Sequence, residues 1–471
     1  MTHRRLQIWL WTALALALGL ALRLWFIAHT ARIDGDTLIY GEIAKNWLEK
    51  GVYGFTQSGH GVRPTLIRMP GYPLFLVVCF RFFGVEHYTA VMYIQSIIDL
   101  FTCVVASALS CRLFGPRAAM VTLWLAALCP FTASYVAAPL TETLSLTCIV
   151  LAFYGLERWR NAGMGVNRWL WVISASITYA LLLRPEQGLL AVVVISAMFW
   201  LARQSKPQTT PARFTAWPVV IAVCCLVLPL MPWAVRNWRV FHVVQPLAPR
   251  YATDPGELVP RGFQRWYRSW AIDFASTEDV YWNYDGADVE ISDIPTRAFD
   301  SEEQYELTDA LLTKYDQTDN ATPALDAQFE TLAEERIKDD PIRYYVALPV
   351  ARLLNMLLRP RTEMLPVSLE WWKSSEHPKQ TLIAIGFAGL NLAYLVLGGV
   401  GFWLWRRRRW DGNPALAWSM MGFVLLRCAV LLTLDNSEPR YTLEFFPVIF
   451  VWSAVVFSRS NDGRLSSSCR S

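Results

Sequence analysis

Metal chemistry has little to work with in this sequence. Its six histidines are scattered, none at metal-ligand spacing and none beside a cysteine pair that would complete a zinc site. No metal centre is expected. Charge is scarce too: Asp, Glu, Lys and Arg make up only 17% of the 471 residues, which argues against a soluble multi-domain enzyme. No convincing internal repeat is present, and nothing points to a nucleic-acid partner. The nine cysteines lie almost all in apolar runs, so they read as small buried hydrophobes rather than as a disulfide framework.

What the chain has in quantity is apolar surface. Hydrophobic residues make up 54% of it, with 22 tryptophans, the composition of a polytopic membrane protein. The formal charge of +4 hides an asymmetry. Residues 239–343 carry 22 acidic against 10 basic side chains, so the rest of the chain is strongly basic. This acidic stretch, polar and without long apolar runs, reads as one extramembrane domain, and its part from 301 to 338 as helical. The basic remainder reads as the membrane body and its loops.

Residues 6–28 form the first apolar run, long enough to cross a bilayer and too long for a signal-peptide core. Arg4 and Arg5 precede it, so the positive-inside rule places the N-terminus in the cytoplasm. Arg23, the one charge in the run, is expected to snorkel toward the headgroups. Further spans are read at 88–113, 118–136, 141–156, 169–183, 188–202, 214–233, 382–405, 415–434 and 442–457, giving about ten. Residues 73–83 are too short to span and read as re-entrant or interfacial. Residues 344–358 read as interfacial because a span there would turn the basic cluster 406–409 outward. The expected fold is thus all-α and polytopic, with interfacial helices and one external domain. Its parts are an N-terminal membrane region at 1–238 with a first external loop at 29–87, the acidic domain at 239–343, and an interfacial helix with C-terminal membrane region at 344–471.

Polar side chains gather on the outer face of this topology: Asp34, Asp36, Arg63, Arg68, Thr141, Glu142, Arg184, Glu186, Arg236, Asp435, Glu438 and Arg440. One or two carboxylates among several arginines suit a reaction that deprotonates a nucleophile and ejects a phosphate. Each residue also has a plainer role open to it. Asp36 stands before a predicted helix at 37–50 and could cap it. That helix, with Ile39, Ile43 and Trp47 on one face, is expected to lie flat on the membrane. Glu142 could be an interfacial polar residue, and the arginines could pair with carboxylates or lipid headgroups. Asp99 and Arg427, set deeper, are expected to pair with each other.

Several strings in order along the chain carry a resemblance. They are Gly35-Asp36-Thr37-Leu38-Ile39-Tyr40, Arg68-Met69-Pro70-Gly71-Tyr72-Pro73, Leu140-Thr141-Glu142-Thr143, Leu183-Arg184-Pro185-Glu186, Pro232-Trp233-Ala234-Val235-Arg236-Asn237 and Pro439-Arg440-Tyr441. Together they resemble the GT-C superfamily of membrane glycosyltransferases, in its protein O-mannosyltransferase and lipid A aminoarabinose transferase branch. The resemblance implies a polyprenyl-phosphate-linked sugar as donor, hexosyl or pentosyl transfer with inversion, and a protein, lipid or glycan acceptor at the external or periplasmic face of the cell (inner) membrane. It gives Asp36 the part of catalytic base and Glu142 that of a second carboxylate. Asp34, Tyr40, Arg63, Arg68, Tyr72, Arg184, Glu186, Arg236 and Arg440 become substrate-binding candidates, with Arg63, Arg68 and Arg440 directed at the phosphate. A membrane transporter or lipid flippase is the alternative, since charges in a polytopic protein often mark a transport path.

Overall fold

The computed structural model describes residues 3–204, 216–284, 286–317, 320–408 and 413–458, with side chains from residue 6. Arg4, Arg5 and Arg409, used above to orient the chain, lie outside the described side chains. The chain folds into two units. The first comprises residues 1–252, 393–426 and 443–471, the second 253–392 and 427–442.

The first unit is a helical bundle. In chain order it contains α1 (His3–Thr30), α2 (Asp36–Lys50), the strands β1 (Gly54–Gln57) and β2 (Gly61–Pro64), α3 (Gly71–Phe83), α4 (Tyr88–Phe114), α5 (Pro116–Ala127), α6 (Pro130–Ser134), α7 (Glu142–Asn161), α8 (Arg168–Leu183), α9 (Gly188–Gln204), α10 (Trp217–Val227) and α11 (Leu230–Phe241). Strand β1 pairs antiparallel with β2, Phe55 opposite Arg63, a hairpin that the sequence did not announce.

Six helical stretches among the described residues are long and apolar enough to cross a bilayer: 6–30, 88–114, 185–204, 217–241, 378–407 and 414–431. A bent pair, 116–127 with 130–137, makes a seventh where Pro130 interrupts the run. The three remaining expected spans correspond to α7, α8 and the helix Phe446–Val456, which fall short in length or carry charged ends. The chain is therefore an all-α multi-pass membrane protein, with six helices, or seven counting the bent pair, long and apolar enough to span among the described residues.

Two expectations change. Helix α2 starts one residue earlier than predicted, at Asp36, and ends as predicted, closed by Gly51 in the left-handed region (φ 69°), a conformation that glycine adopts without a Cβ clash. Its apolar face does not lie on lipid. Ile43 is buried against Tyr53, Leu66 and Trp233, with Ile39 and Trp47 packed on the same cluster. Inside the bundle, Arg23 does not snorkel. It is buried, and its Nε donates to Asp99 Oδ2 at 2.8 Å while Nη1 donates to the carbonyls of Gly19 (2.7 Å) and Ala127 (2.8 Å). Gly19 allows α1 this close, since a Cβ there would stand 3.0 Å from the Ala127 carbonyl oxygen. The guanidinium thus satisfies a carbonyl freed by the α5–α6 break, which apolar surroundings would otherwise leave costly. Asp99 is engaged by Arg23, while Arg427 donates to the Tyr441 carbonyl at 3.3 Å, so the expected Asp99–Arg427 pair is replaced.

Of the cysteines among the described residues, seven are free thiols, and the four in α3, α4, α7 and the α5–α6 break are buried as expected.

The second unit has its own aromatic core. Phe263, Trp266, Tyr267 and Trp270 pack with Tyr315, Phe329 and Leu332. Helices Glu302–Asp316 and Pro323–Asp339 fill the stretch read as helical, each started by a side-chain cap: Ser301 accepts from the Gln304 amide and Thr322 from the Leu325 amide. Gly262 lets the helix Arg261–Arg268 touch the backbone of Asp326, where a Cβ would come within 2.0 Å of a carbonyl oxygen.

Candidate active site

Two carboxylate–arginine pairs of the first unit bring candidate site residues together. Gly35 occupies the N-cap position of α2, so Asp36 is the helix's first residue. Its carboxylate turns to Arg68, whose Nη2 donates to Oδ1 at 2.6 Å. The cap reading for Asp36 thus gives way to an ion pair with the segment leading into α3. That segment is itself pinned: Tyr53 Oη donates to the carbonyls of Arg68 (3.0 Å) and Met69 (3.2 Å), and the Ala248 amide donates to Met69 Sδ at 3.1 Å.

The second pair joins α7 to the end of α8. Glu142 opens α7 and is buried, and Arg184 Nη1 donates to its Oε1 at 3.1 Å. Arg184 also bridges to Glu186 through Nε at 3.1 Å. Its backbone is extended, at φ −151° and ψ 135°, because Pro185 follows and disfavours a helical residue before it. Gly71 brings α3 against this corner, for a Cβ there would lie 2.5 Å from the Leu182 carbonyl oxygen, and Tyr179 Oη donates to the Gly71 carbonyl at 3.1 Å.

Tyr40 stands between the two pairs. Burial pushes its hydroxyl up to about 12, the positive charges of Arg68 and Arg184 oppose the rise, and the carboxylates of Asp36 and Glu142 add to it. The phenol therefore stays protonated and can donate a hydrogen bond at neutral pH. Its ring meets Tyr72 edge-on, centroids 5.1 Å apart, and the Arg68 guanidinium lies 5.8 Å from its centre. Tyr72 is buried in turn, and its hydroxyl donates to Gln95 Oε1 at 2.7 Å. Sequence reasoning passed over Gln95. The signal that could have found it was an amide inside an otherwise apolar span, one turn before Asp99.

The other candidates are placed differently. Asp34 is exposed, and its carbonyl accepts from the Thr37 amide at 2.9 Å. Arg63 is exposed on β2. Arg236 braces the hairpin: Nη1 donates to the Thr65 carbonyl at 2.7 Å and Nη2 to the Tyr53 carbonyl at 2.8 Å, with the rings of Tyr53, Trp233 and Phe241 around the guanidinium. Arg440 belongs to the second unit, where it pairs with Glu438 and lies 5.8 Å from the centre of the Tyr441 ring. Among the described residues, no three His, Cys, Asp or Glu side chains converge as a metal site.

Residues 64–233 match the family model described as dolichyl-phosphate-mannose-protein mannosyltransferase, a stretch that contains Arg68, Tyr72, Glu142, Arg184 and Glu186. No curated protein matches the chain. Among solved structures, the Archaeoglobus fulgidus oligosaccharyltransferase tethered with an acceptor peptide containing the NVT sequon matches with TM-score 0.52 and 12% identity, over 94% of this chain and 49% of that one. The same organism's oligosaccharyltransferase AglB, in complex with an inhibitory peptide and a dolichol-phosphate, gives TM-score 0.47 and 10% identity over 97% and 50%. ArnT from Cupriavidus metallidurans bound to undecaprenyl phosphate gives 0.38 and 16% over 95% and 77%. The chain spans about half the length of the oligosaccharyltransferases that it matches. Residues 64–233 thus carry the sequence signature of that mannosyltransferase family, and the fold of the chain is similar to that of the oligosaccharyltransferase.

Proposed function

We propose that the protein transfers a sugar, a hexosyl or pentosyl group, from a polyprenyl-phosphate-linked donor to an acceptor hydroxyl at the external face of the cell membrane. The observation that carries this reading is the Asp36–Arg68 pair beside Glu142–Arg184, with Arg68, Glu142 and Arg184 inside the matched stretch. The solved relatives add support, two of them holding a lipid phosphate. Mechanistically, Asp36 takes the proton of the acceptor hydroxyl as that oxygen attacks the anomeric carbon. The bond from that carbon to the phosphate oxygen breaks, its electron pair leaves with the phosphate, and the configuration inverts. Arg68, held next to Asp36 at 2.6 Å, can turn its planar guanidinium to two phosphate oxygens when substrate arrives. Arg63 is a further phosphate ligand in this proposal. Glu142 orients Arg184, and Tyr40 supplies a neutral donor between the pairs. The transporter alternative loses its motive, because the buried charges Arg23 and Asp99 bind each other and Arg23 also donates to nearby carbonyls.

The direct test is transfer by the purified protein in nanodiscs, offered a panel of polyprenyl-phosphate sugars and hydroxyl acceptors. It is paired with extraction of lipid-linked sugars from cells with and without the gene. No transfer and no accumulating lipid-linked sugar would sink the proposal. Its sidedness is tested separately with cysteines replacing the exposed Glu303 and Arg117 in a protein otherwise free of reactive thiols. An impermeant reagent applied to intact cells should label the first and spare the second.

A further inference from the structure

Helix α4 presents two buried polar side chains one turn apart on the same face, Gln95 and Asp99. Asp99 holds Arg23, which donates to the carbonyl of Ala127 at the start of the α5–α6 break. Gln95 holds the other end of that bent segment. Its Nε2 donates to the carbonyls of Ala138 at 3.0 Å and Val136 at 3.4 Å, and its Oε1 accepts from Tyr72 Oη. The orientation of the amide follows from chemistry: carbonyls only accept, so the NH2 must face them and the oxygen must face the tyrosine.

We propose that Gln95 is a positioning residue that sets the spacing between the Asp36–Arg68 pair and the Glu142–Arg184 pair. This rests on the reading of those pairs as the site of sugar transfer. Tyr72 follows Arg68 by four residues, and Ala138 precedes Glu142 by four, so a single side chain links the chain arms of both pairs, one through the Tyr72 hydroxyl and the other through backbone carbonyls. A buried amide in an apolar span is costly unless its donor and acceptor are both engaged. Glutamine accepts and donates at once. Ionised glutamate can only accept, and methionine fills the space while making neither bond. The start of α3 is already fixed on α8 at Gly71, so the Gln95 clamp governs where residues 136–142 sit relative to Tyr72 and Tyr40.

The test compares wild type with Gln95→Met and Gln95→Glu, each purified in nanodiscs. Hydrogen exchange read by mass spectrometry should speed up by about tenfold at residues 135–142 and 66–72 in both variants, while residues 217–227 exchange as in wild type. Unchanged exchange at 135–142 and 66–72 overturns the proposal. So does faster exchange throughout, since Gln95 would then hold the whole bundle rather than these two arms. In the transfer assay, kcat should fall about 10- to 100-fold while KM for the lipid-linked donor stays within about threefold, the pattern of a misplaced reacting group rather than a lost binding contact. A raised KM with normal kcat counts against it. Absence of transfer by the wild-type protein would remove the glycosyltransferase reading alone, with the exchange measurement still deciding whether Gln95 clamps the two arms.

Discussion

Two Asp–Arg pairs of the first unit, Arg23–Asp99 and Arg68–Asp36, have the same chemistry and opposite character. Arg23 and Asp99 are sealed, with side-chain exposures of 0% and 3%, and backbone carbonyls take further donors of the guanidinium. Arg68 and Asp36 are open to 20% and 22%, at the junction of two loops. A sealed pair trades a large desolvation cost for attraction and fixed geometry, so it holds helices in place. An open pair in a field of further charges can exchange its partner for a substrate group. Burial thus separates a brace from a candidate reactive centre more sharply than residue type does.

Replacing Asp36 should break the comparison most visibly. Asp36→Asn keeps the shape and the ability to accept a hydrogen bond but cannot take up a proton. Sugar transfer should fall by about 10²- to 10⁴-fold with thermal stability near that of wild type. Near-normal transfer by a well-folded Asp36→Asn protein would move attention to Asp34 and Glu142.

The sealed pair should respond in stability instead. Asp99→Ala leaves a buried guanidinium without its counter-charge, a loss of about 3–5 kcal/mol for pairs broken on one side. The double variant Arg23→Met with Asp99→Leu should recover much of it. Equal losses in the single and double variants would show that the attraction between the two charges contributes little. Arg68→Lys probes the open pair more gently. Lysine keeps the charge but loses the planar two-pronged grip, so transfer should fall about tenfold, with weaker donor binding. Arg236→Lys should instead lower stability, because Arg236 holds two hairpin carbonyls.

The membrane body was legible because apolar runs and flanking arginines announce themselves locally, and each of the ten runs corresponds to helix in the structure. Partner choice was not. Asp99 lies 76 residues from Arg23, and no pattern of spacing links them. The hairpin 54–64 escaped because its strands are only four residues each and half exposed. Within the site, Asp36 was visible as a residue, but its bond to Arg68 depends on Tyr53 and Gly71 holding the intervening chain. Arg236 had the right residue type and motif, yet its guanidinium serves the backbone. Gln95 was invisible because an isolated amide in a span has many plainer explanations.

The smallest effect asks whether neighbours, rather than burial alone, decide a carboxylate's charge, and the second unit offers a matched contrast. Asp279 is pushed up to about 6 by burial and by the like charges of Glu278, Asp293, Glu370 and Asp273. Asp300 is held below its ordinary value chiefly by the hydrogen bonds from Arg343, at 2.8 and 2.9 Å, with the positive charge of Arg336 beside it. The linkage signs are opposite. The native state holds the Asp279 proton more tightly than the unfolded chain, so its contribution is complete in acid and is lost as pH rises through about 6. Asp300 stabilises the native state above its ordinary range and ceases to as pH falls through its lowered value. Melting curves of the full-length protein between about pH 2 and 8 should therefore show Asp279→Asn losing less stability than wild type on the way up through about 6. Asp300→Asn should be the less stable protein at neutral pH and converge on wild type in acid. Parallel profiles for the two variants would mean that the arginines around Asp300 and the acids around Asp279 do not set the charge of their neighbours.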